Sequence, residues 1–257
     1  MSWDEPSDDF GLIERDYASE PIGTVCGQWD GGYIPREQWP ERIAEINRLK
    51  LSPILFHKFY GVPVLNQDIT KYCWCYSVVA GVMNRLAFMG INDPVPHLSA
   101  TAVAAVGTNF RNIGGYCTRA VQYIQDQGGV PNVQVWPNGY HLDQLYKNRP
   151  EVADSRRKNQ LTEFIDFGQD LDAAISAMLG EEPIPVTFSL PWWRHAVCGL
   201  EVLDTGKGDA KSLDRYGIRF VNSYGPEWEN GGFGEFYGKR MESWELVGIS
   251  HVKARKE

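Results

Sequence analysis

The chain has 257 residues, 43% hydrophobic and 12% aromatic, enough apolar material to bury one sizeable core or two subdomains around a cleft. Thirty-three acids against 25 basic residues give a formal net charge of -8, which removes the electrostatic basis for nonspecific nucleic-acid or anionic-membrane binding, and no local basic patch restores it. No apolar run approaches the roughly 18 residues of a membrane span, and the opening Met1-Ser2-Trp3-Asp4-Glu5-Pro6 lacks the charged and apolar regions of an export signal.

In chain order, residues 1–48 read as an acidic N-terminal extension ahead of a domain spanning 49–257. Its first twenty residues carry seven acids, Asp4, Glu5, Asp8, Asp9, Glu14, Asp16 and Glu20, against Arg15. Such a segment is expected to act as a strap packed on the domain, an inhibitory plug lying partly across or beside a cleft, or an anchor for partner proteins. Within it, Pro40 to Leu49 predicts a short helix, with proline in the first turn and Ile43, Ile46 and Leu49 at three-residue spacing. From Cys73, the apolar Val78, Val79, Val82, Leu86 and Phe88 predict a mostly buried helix that stops near Gly90. Segments 98–107, 116–127 and 170–179 also read as helices, the last two ending at Gly128-Gly129 and Gly180. After residue 184 the pattern changes to apolar runs, 184–190, 195–203, 217–222 and 233–237, broken by Gly, Asp and Lys clusters, which predict antiparallel strands. The fold class is therefore α+β, a helical half followed by a strand-rich half.

Five cysteines, at 26, 73, 75, 117 and 198, form an odd set without repeated CxxC spacing. Cys73 and Cys75 stand closer together than the usual zinc-ligand spacing, so neither a metal nor another cofactor is expected. Cys26, Cys117 and Cys198 read as small buried hydrophobes. The histidines His57, His97, His141 and His251 read as surface or internally satisfied residues.

Three separated blocks carry chemistry. Gln67-Asp68-Ile69-Thr70-Lys71-Tyr72-Cys73-Trp74-Cys75-Tyr76-Ser77 sets a cysteine at a helix start, whose unpaired N–H groups and positive dipole end favour thiolate over thiol. Gln67, six residues earlier, supplies an amide that can donate to a developing oxyanion. Downstream, Trp193-Arg194-His195-Ala196-Val197 offers a base, and Arg219-Phe220-Val221-Asn222-Ser223-Tyr224-Gly225 offers a group to fix its tautomer.

In this order the blocks resemble the papain-like cysteine peptidases. The family's Gln-x-x-x-x-x-Cys-Trp-x-Phe/Tyr-Ser is matched by Gln67, Cys73, Trp74, Tyr76 and Ser77, after a familiar lead-in at 62–66, and its His-Ala-Val by His195, Ala196 and Val197. Its Asn-Ser-Trp-Gly-x-x-Trp, followed by glycine and an aromatic, is matched by Asn222, Ser223, Gly225, Trp228, Gly232 and Phe233, with Tyr224 in place of the first tryptophan. Gly114-Gly115 matches a pair that lines the family's substrate cleft. The resemblance spans about residues 50–250 and implies a helical subdomain carrying Cys73, facing a β-rich subdomain carrying His195 and Asn222 across an active-site cleft. It further implies Cys73 as nucleophile, His195 as acid and base, Asn222 as orienter, Gln67 in the oxyanion hole, and Gly114, Gly115, Trp74, Tyr224 and Trp228 at the cleft.

The departures carry expectations of their own. Thr70 and Asn112 replace both halves of one of the family's disulfides, which fits a chain that folds without oxidation. Lys71-Tyr72 replaces a small Gly-Ser pair and is expected to narrow the cleft. Arg194, where an acid or amide is usual, is expected to disfavour imidazolium. The function that follows is a cysteine-type peptidase, a thiol protease hydrolysing a polypeptide substrate through a Cys73 thioester. The alternative is a papain-fold structural or binding subunit of a larger assembly such as a virus particle, and the expected location is intracellular or within such a virion. A transglutaminase or cell-wall amidase would use the same Cys-His chemistry but fits the Asn222 block less well.

Overall fold

The computed structural model describes residues 10–23, 25–90 and 94–254, so Asp4, Glu5, Asp8 and Asp9 of the acidic segment lie outside the described residues. After an extended stretch and the short strand β1 (Gly27–Gln28) come α1 (Trp39–Leu49), α2 (Pro53–Phe59), α3 (Cys73–Phe88), α4 (Ala100–Gly107), α5 (Cys117–Asp126), α6 (Gln144–Lys147) and α7 (Pro150–Lys158). The second half holds β2 (Asn159–Gly168), α8 (Leu171–Met178), β3 (Val186–Leu190), β4 (His195–Asp204), β5 (Tyr216–Val221), β6 (Phe233–Tyr237) and β7 (Leu246–Ala254). Among the described residues these strands form one sheet in the order β1-β2-β7-β3-β4-β5-β6, antiparallel except for the β1–β2 pair. No helix among the described residues is long and apolar enough to cross a membrane.

Local sequence explains the helix ends. Ser99 caps α4 by accepting from the Ala102 N–H at 3.1 Å, and Asp170 caps α8 by accepting from Ala173 N–H at 3.0 Å. Pro40 sits in the first turn of α1, and Lys50 ends that helix in the left-handed region at φ 58°. Residues 73–87 of α3 are all buried, which marks a helix enclosed on every side rather than one with a solvent face.

Alternation along β4 shows how the layers stack. Ala196, Cys198 and Leu200 pack into the cluster around α3, whereas Val197 and, beyond the register shift between Gly199 and Glu201, Val202 pack into a second cluster with Trp39, Ile43 and Ile46 of α1 and the apolar face of α8. The sheet thus lies between α3 on one face and α1 with α8 on the other. Gly81 permits the close approach of α3, because a Cβ there would fall 2.5 Å from Ile249 Cδ1. Strand β2 escapes a reading based on apolar runs because it carries Gln160, Glu163 and Asp166, while β7 opens on the buried Leu246-Val247-Gly248-Ile249 and turns polar only at Ser250 and His251; their mutual register shifts at three places.

The boundary expected near residue 48 falls at the end of α1, whose Trp39 has no exposure, donates its indole N–H to Ile34 O at 2.8 Å and packs edge-on against Tyr216 at 4.9 Å. Trp39→Ala is expected to cost about 3–5 kcal/mol in urea unfolding. A loss below about 1 kcal/mol would mark α1 as a detachable strap rather than core.

Candidate active site

Cys73 is the first residue of α3 and has no solvent exposure. The loop leading to it is bound to the strand half: Gln67 N–H donates to Ser223 O at 2.8 Å, and Gly225 N–H donates to Leu65 O at 2.9 Å. Gln67 is buried, its Oε1 accepting from Ser223 Oγ at 2.5 Å and its Nε2 donating to Thr70 O at 2.8 Å. An amide nitrogen carries two hydrogens, so one donor of Gln67 is left over from that bond. Ser223 is thus a positioning residue with no assigned role in the sequence reading, although it lies inside the motif.

His195 opens β4 after a tight turn in which Trp193 N–H and Arg194 N–H donate back to Leu190 O and Pro191 O, each at 3.3 Å. Arg194 takes the left-handed region at φ 50°, the conformation that aims the next residue into the sheet. The antiparallel register pairs Cys198 with Val221, which carries His195 to the level of Tyr224, and the two rings stack at 4.8 Å. His195 Nε2 lies 2.7 Å from Asn222 Oδ1, and that oxygen also accepts from Ser223 N–H at 2.7 Å. The second donor fixes the amide orientation, so Nε2 carries the proton and Nδ1 keeps its lone pair. Tyr224 OH stands 3.4 Å from that Nδ1.

The remaining expected residues form the surroundings. Trp74 is fully buried, donates to Lys71 O at 3.0 Å and backs Gly115, where a Cβ would fall 2.6 Å from the indole. Trp228 lies beside Trp193, Tyr224 and Phe220. Lys71 lines a groove of about 540 Å³ with Leu12, Glu14, Asn112 and Arg194. Tyr72 corrects one expectation: it has no exposure and its hydroxyl donates to Arg111 O at 2.8 Å, so its bulk points into the helical half, and of the pair Lys71 is the one that lines the groove.

Where the family's disulfide would tie two loops, Asn112 does so by hydrogen bonds. Its Oδ1 accepts from Lys71 N–H at 2.7 Å and its Nδ2 donates to Ile69 O at 3.2 Å. All five cysteines are buried and none is in a disulfide.

The chain's own extension runs along Gly115 and past His195. Ile13 N–H donates to Gly115 O at 2.9 Å, Gly115 N–H donates to Gly11 O at 2.8 Å, and Leu12 bridges Gly115 in parallel. Phe10 lies against His195 at 5.1 Å and Tyr224 at 5.4 Å. The apolar Phe10, Leu12 and Ile13 interrupting an acidic stretch are the signal by which the sequence could have assigned this path.

Burial is the main electrostatic influence here. It lowers the His195 pKa to about 4 against a smaller upward pull from Asn222, and Arg194, which is exposed, is not among the causes. Burial first, then the charge of the nearby Cys73, raises the Tyr224 hydroxyl. His57 is an internally satisfied histidine, 2.8 Å from Asn84 Oδ1 and lowered by burial to about 4.

No family model matches the chain. Mouse cathepsin K is 25% identical over 190 residues, covering 68% of this chain and 56% of that protein, so the chain spans little more than half the length of such a relative. The ragweed pollen cysteine protease Amb a 11 in its proform superposes with a TM-score of 0.58 at 16% identity, covering 76% of this chain and 65% of that one. Digestive procathepsin L 3 of Tenebrio molitor gives 0.56 at 13%, covering 82% and 90%. The fold is papain-like. The sequence resemblance, too, is to papain-like cysteine peptidases.

Because burial depresses both His195 and His57, the folded protein takes up these protons near pH 4 while the unfolded chain takes them near 6.5. Their contribution to stability is full above about pH 6.5 and is lost as pH falls toward about 4. Imidazole ¹⁵N spectra at about pH 5.5 should show both rings neutral, with the urea midpoint falling over the same range; a charged His195 there would contradict the burial argument.

Proposed function

We propose that the chain is a cysteine-type peptidase acting on polypeptides by acyl transfer. The observation that carries this reading is the Nε2-protonated His195 held by Asn222, stacked on a Tyr224 whose hydroxyl feels the charge of Cys73, with a buried Gln67 tied to the same Asn-Ser block. In the mechanism the Cys73 sulfur gives its proton to His195 Nδ1 and attacks a peptide carbonyl, forming a C–S bond. The oxyanion is held by the remaining Gln67 N–H and the Cys73 backbone N–H. The imidazolium then protonates the departing amine as the C–N bond breaks. Water, deprotonated by the same imidazole, hydrolyses the thioester and returns the thiol.

A second reading, a papain-fold binding or structural subunit of a larger assembly, is favoured by a single observation: the cleft holds residues 10–13 while Cys73 and His195 have no exposure. An irreversible thiol-directed peptidyl probe separates the two. The peptidase reading expects labelling under reducing conditions that disappears in Cys73→Ala and is strongly reduced in His195→Ala. Absence of labelling even when residues 10–14 are displaced favours the binding subunit. For a labelled and active enzyme, Gln67→Ala is expected to lower kcat by about 10²–10³-fold with little change in KM.

A further inference from the structure

Two cations flank the candidate reaction centre, one from each half of the fold. Lys71 lies two residues before Cys73, and Arg194 immediately precedes His195 in the turn that opens β4. Both line the same groove of about 540 Å³, whose apolar wall is made by Leu12, Ile113 and Trp244. Each is fixed at its backbone. Lys71 N–H donates to Asn112 Oδ1 at 2.7 Å, and Arg194 N–H donates to Pro191 O at 3.3 Å from a left-handed φ of 50°.

Arg194 is set apart from most arginines of the chain. Arg36, Arg85, Arg215 and Arg219 each meet a carboxylate within 3.1 Å, and Arg15 is enclosed between Asp166 and Glu245. The Arg194 side chain is exposed and makes no hydrogen bond or ion pair among the described residues. It does not act on the base, since burial and Asn222 are the influences on the His195 pKa. Two carboxylates stand nearby. Glu14 lines the groove from the extension without pairing with Arg194, and Glu245 is buried with its charge met by Arg15. A groove with an apolar wall and a positive rim suits a short apolar stem that ends in an anion.

We infer that this groove selects polypeptides carrying an aspartate or glutamate close to the bond that Cys73 attacks, with Arg194 reading the carboxylate and Lys71 adding a second positive charge. The planar guanidinium offers a carboxylate two parallel donors, whereas the ammonium of Lys71 acts as a point charge. The chain as a whole carries a net charge of -8, so it repels acidic ligands at long range and the preference arises locally. The position of the carboxylate relative to the bond rests on the peptidase reading; the preference for it is a property of binding and needs no turnover.

The test compares peptidyl thiol probes that differ only in Glu, Gln or Lys beside the electrophile, scored by the rate of Cys73 labelling. In parallel, peptides with the same three residues are titrated into Cys73→Ala and followed by tryptophan fluorescence. Exposed ion pairs contribute little each, so the Glu probe is expected to label about tenfold faster than the Gln probe, with the Lys probe slowest. That ratio should shrink toward one at about 0.5 M salt. Arg194→Glu is expected to reverse the order in favour of Lys while Tm stays within about 3 °C of the parent, and Lys71→Gly to lower the ratio about threefold. The inference is overturned if the Gln probe or peptide matches its Glu counterpart in the parent, if neither peptide binds, or if Arg194→Glu leaves the order unchanged. A chain that no probe labels, yet whose Cys73→Ala form binds the Glu peptide more tightly than the Gln peptide in an Arg194-dependent way, removes the peptidase reading and leaves the acidic preference standing.

Discussion

Glu245 is the residue on which the two halves and the extension meet. It precedes β7 and has no exposure. Its carboxylate accepts from Cys117 N–H at 2.6 Å and Thr118 Oγ1 at 2.6 Å, at the positive end of α5, and takes Arg15 on the same oxygen as Thr118. Its backbone carbonyl accepts from Ser189 N–H in β3 at 3.1 Å. Burial raises its pKa, and the Thr118 and Arg15 contacts oppose that rise. A carboxylate with this many donors is held in one position, so the start of α5, and with it the Gly114-Gly115 wall just upstream, is held against the strand that leads to His195. One buried carboxylate thus ties α5, β3 and the extension together.

At His195 two requirements oppose each other. General-base chemistry needs an imidazole that can become imidazolium, but enclosure penalises the charge and holds the pKa near 4. Asn222 offsets only part of this, because a neutral amide oxygen stabilises the cation less than a carboxylate would. The enclosure is partly made by Phe10, whose ring lies 5.1 Å from the imidazole. Any movement of Phe10 that admits water to the ring therefore relieves the penalty and opens the cleft at once. Tyr224 adds a second influence: its hydroxyl faces Nδ1, the nitrogen that would take the thiol proton, where a tryptophan would offer no such group.

Much of this was legible in the residues themselves. Cys73, His195 and Asn222 lie far apart in the chain, but each sits in a short block whose neighbours are fixed by local chemistry: a helix start, a strand start and a strand end. The division into helices then strands followed from apolar periodicity, because β3, β4 and β5 are buried on both faces and so read as continuous runs. Periodicity could not reveal β2, which mixes Gln160, Glu163 and Asp166 into its run, whereas the buried Leu246-Val247-Gly248-Ile249 that opens β7 carried a short apolar signal. Nor could it show that Tyr72 turns away from the cleft, since a residue at a helix cap can point either way until Thr108 and Arg111 supply partners. The path of residues 10–21 was hidden for another reason. Its anchors, Asp166 and Glu245, lie 151 and 230 residues from Arg15, and no local pattern announces a pairing at that separation.

The loop carrying Gln67 shows how a covalent tie can be replaced without losing geometry. A disulfide restrains mainly by shortening the unfolded chain's options, whereas hydrogen bonds act only in the folded state. Asn112 supplies both an acceptor and a donor to residues 69–71, and Thr70 Oγ1 donates to Gln67 O at 2.6 Å, so the turn is closed from inside and outside. Gln67 then has its carbonyl end held by Ser223 and one N–H held by Thr70, which leaves a single N–H whose direction follows from the other two bonds. Since Ser223 adjoins Asn222, the amide that orients His195 and the amide that would face an oxyanion are positioned by the same two-residue turn. Their relative geometry is therefore independent of thiol oxidation, and it is fixed within the fold before any substrate arrives.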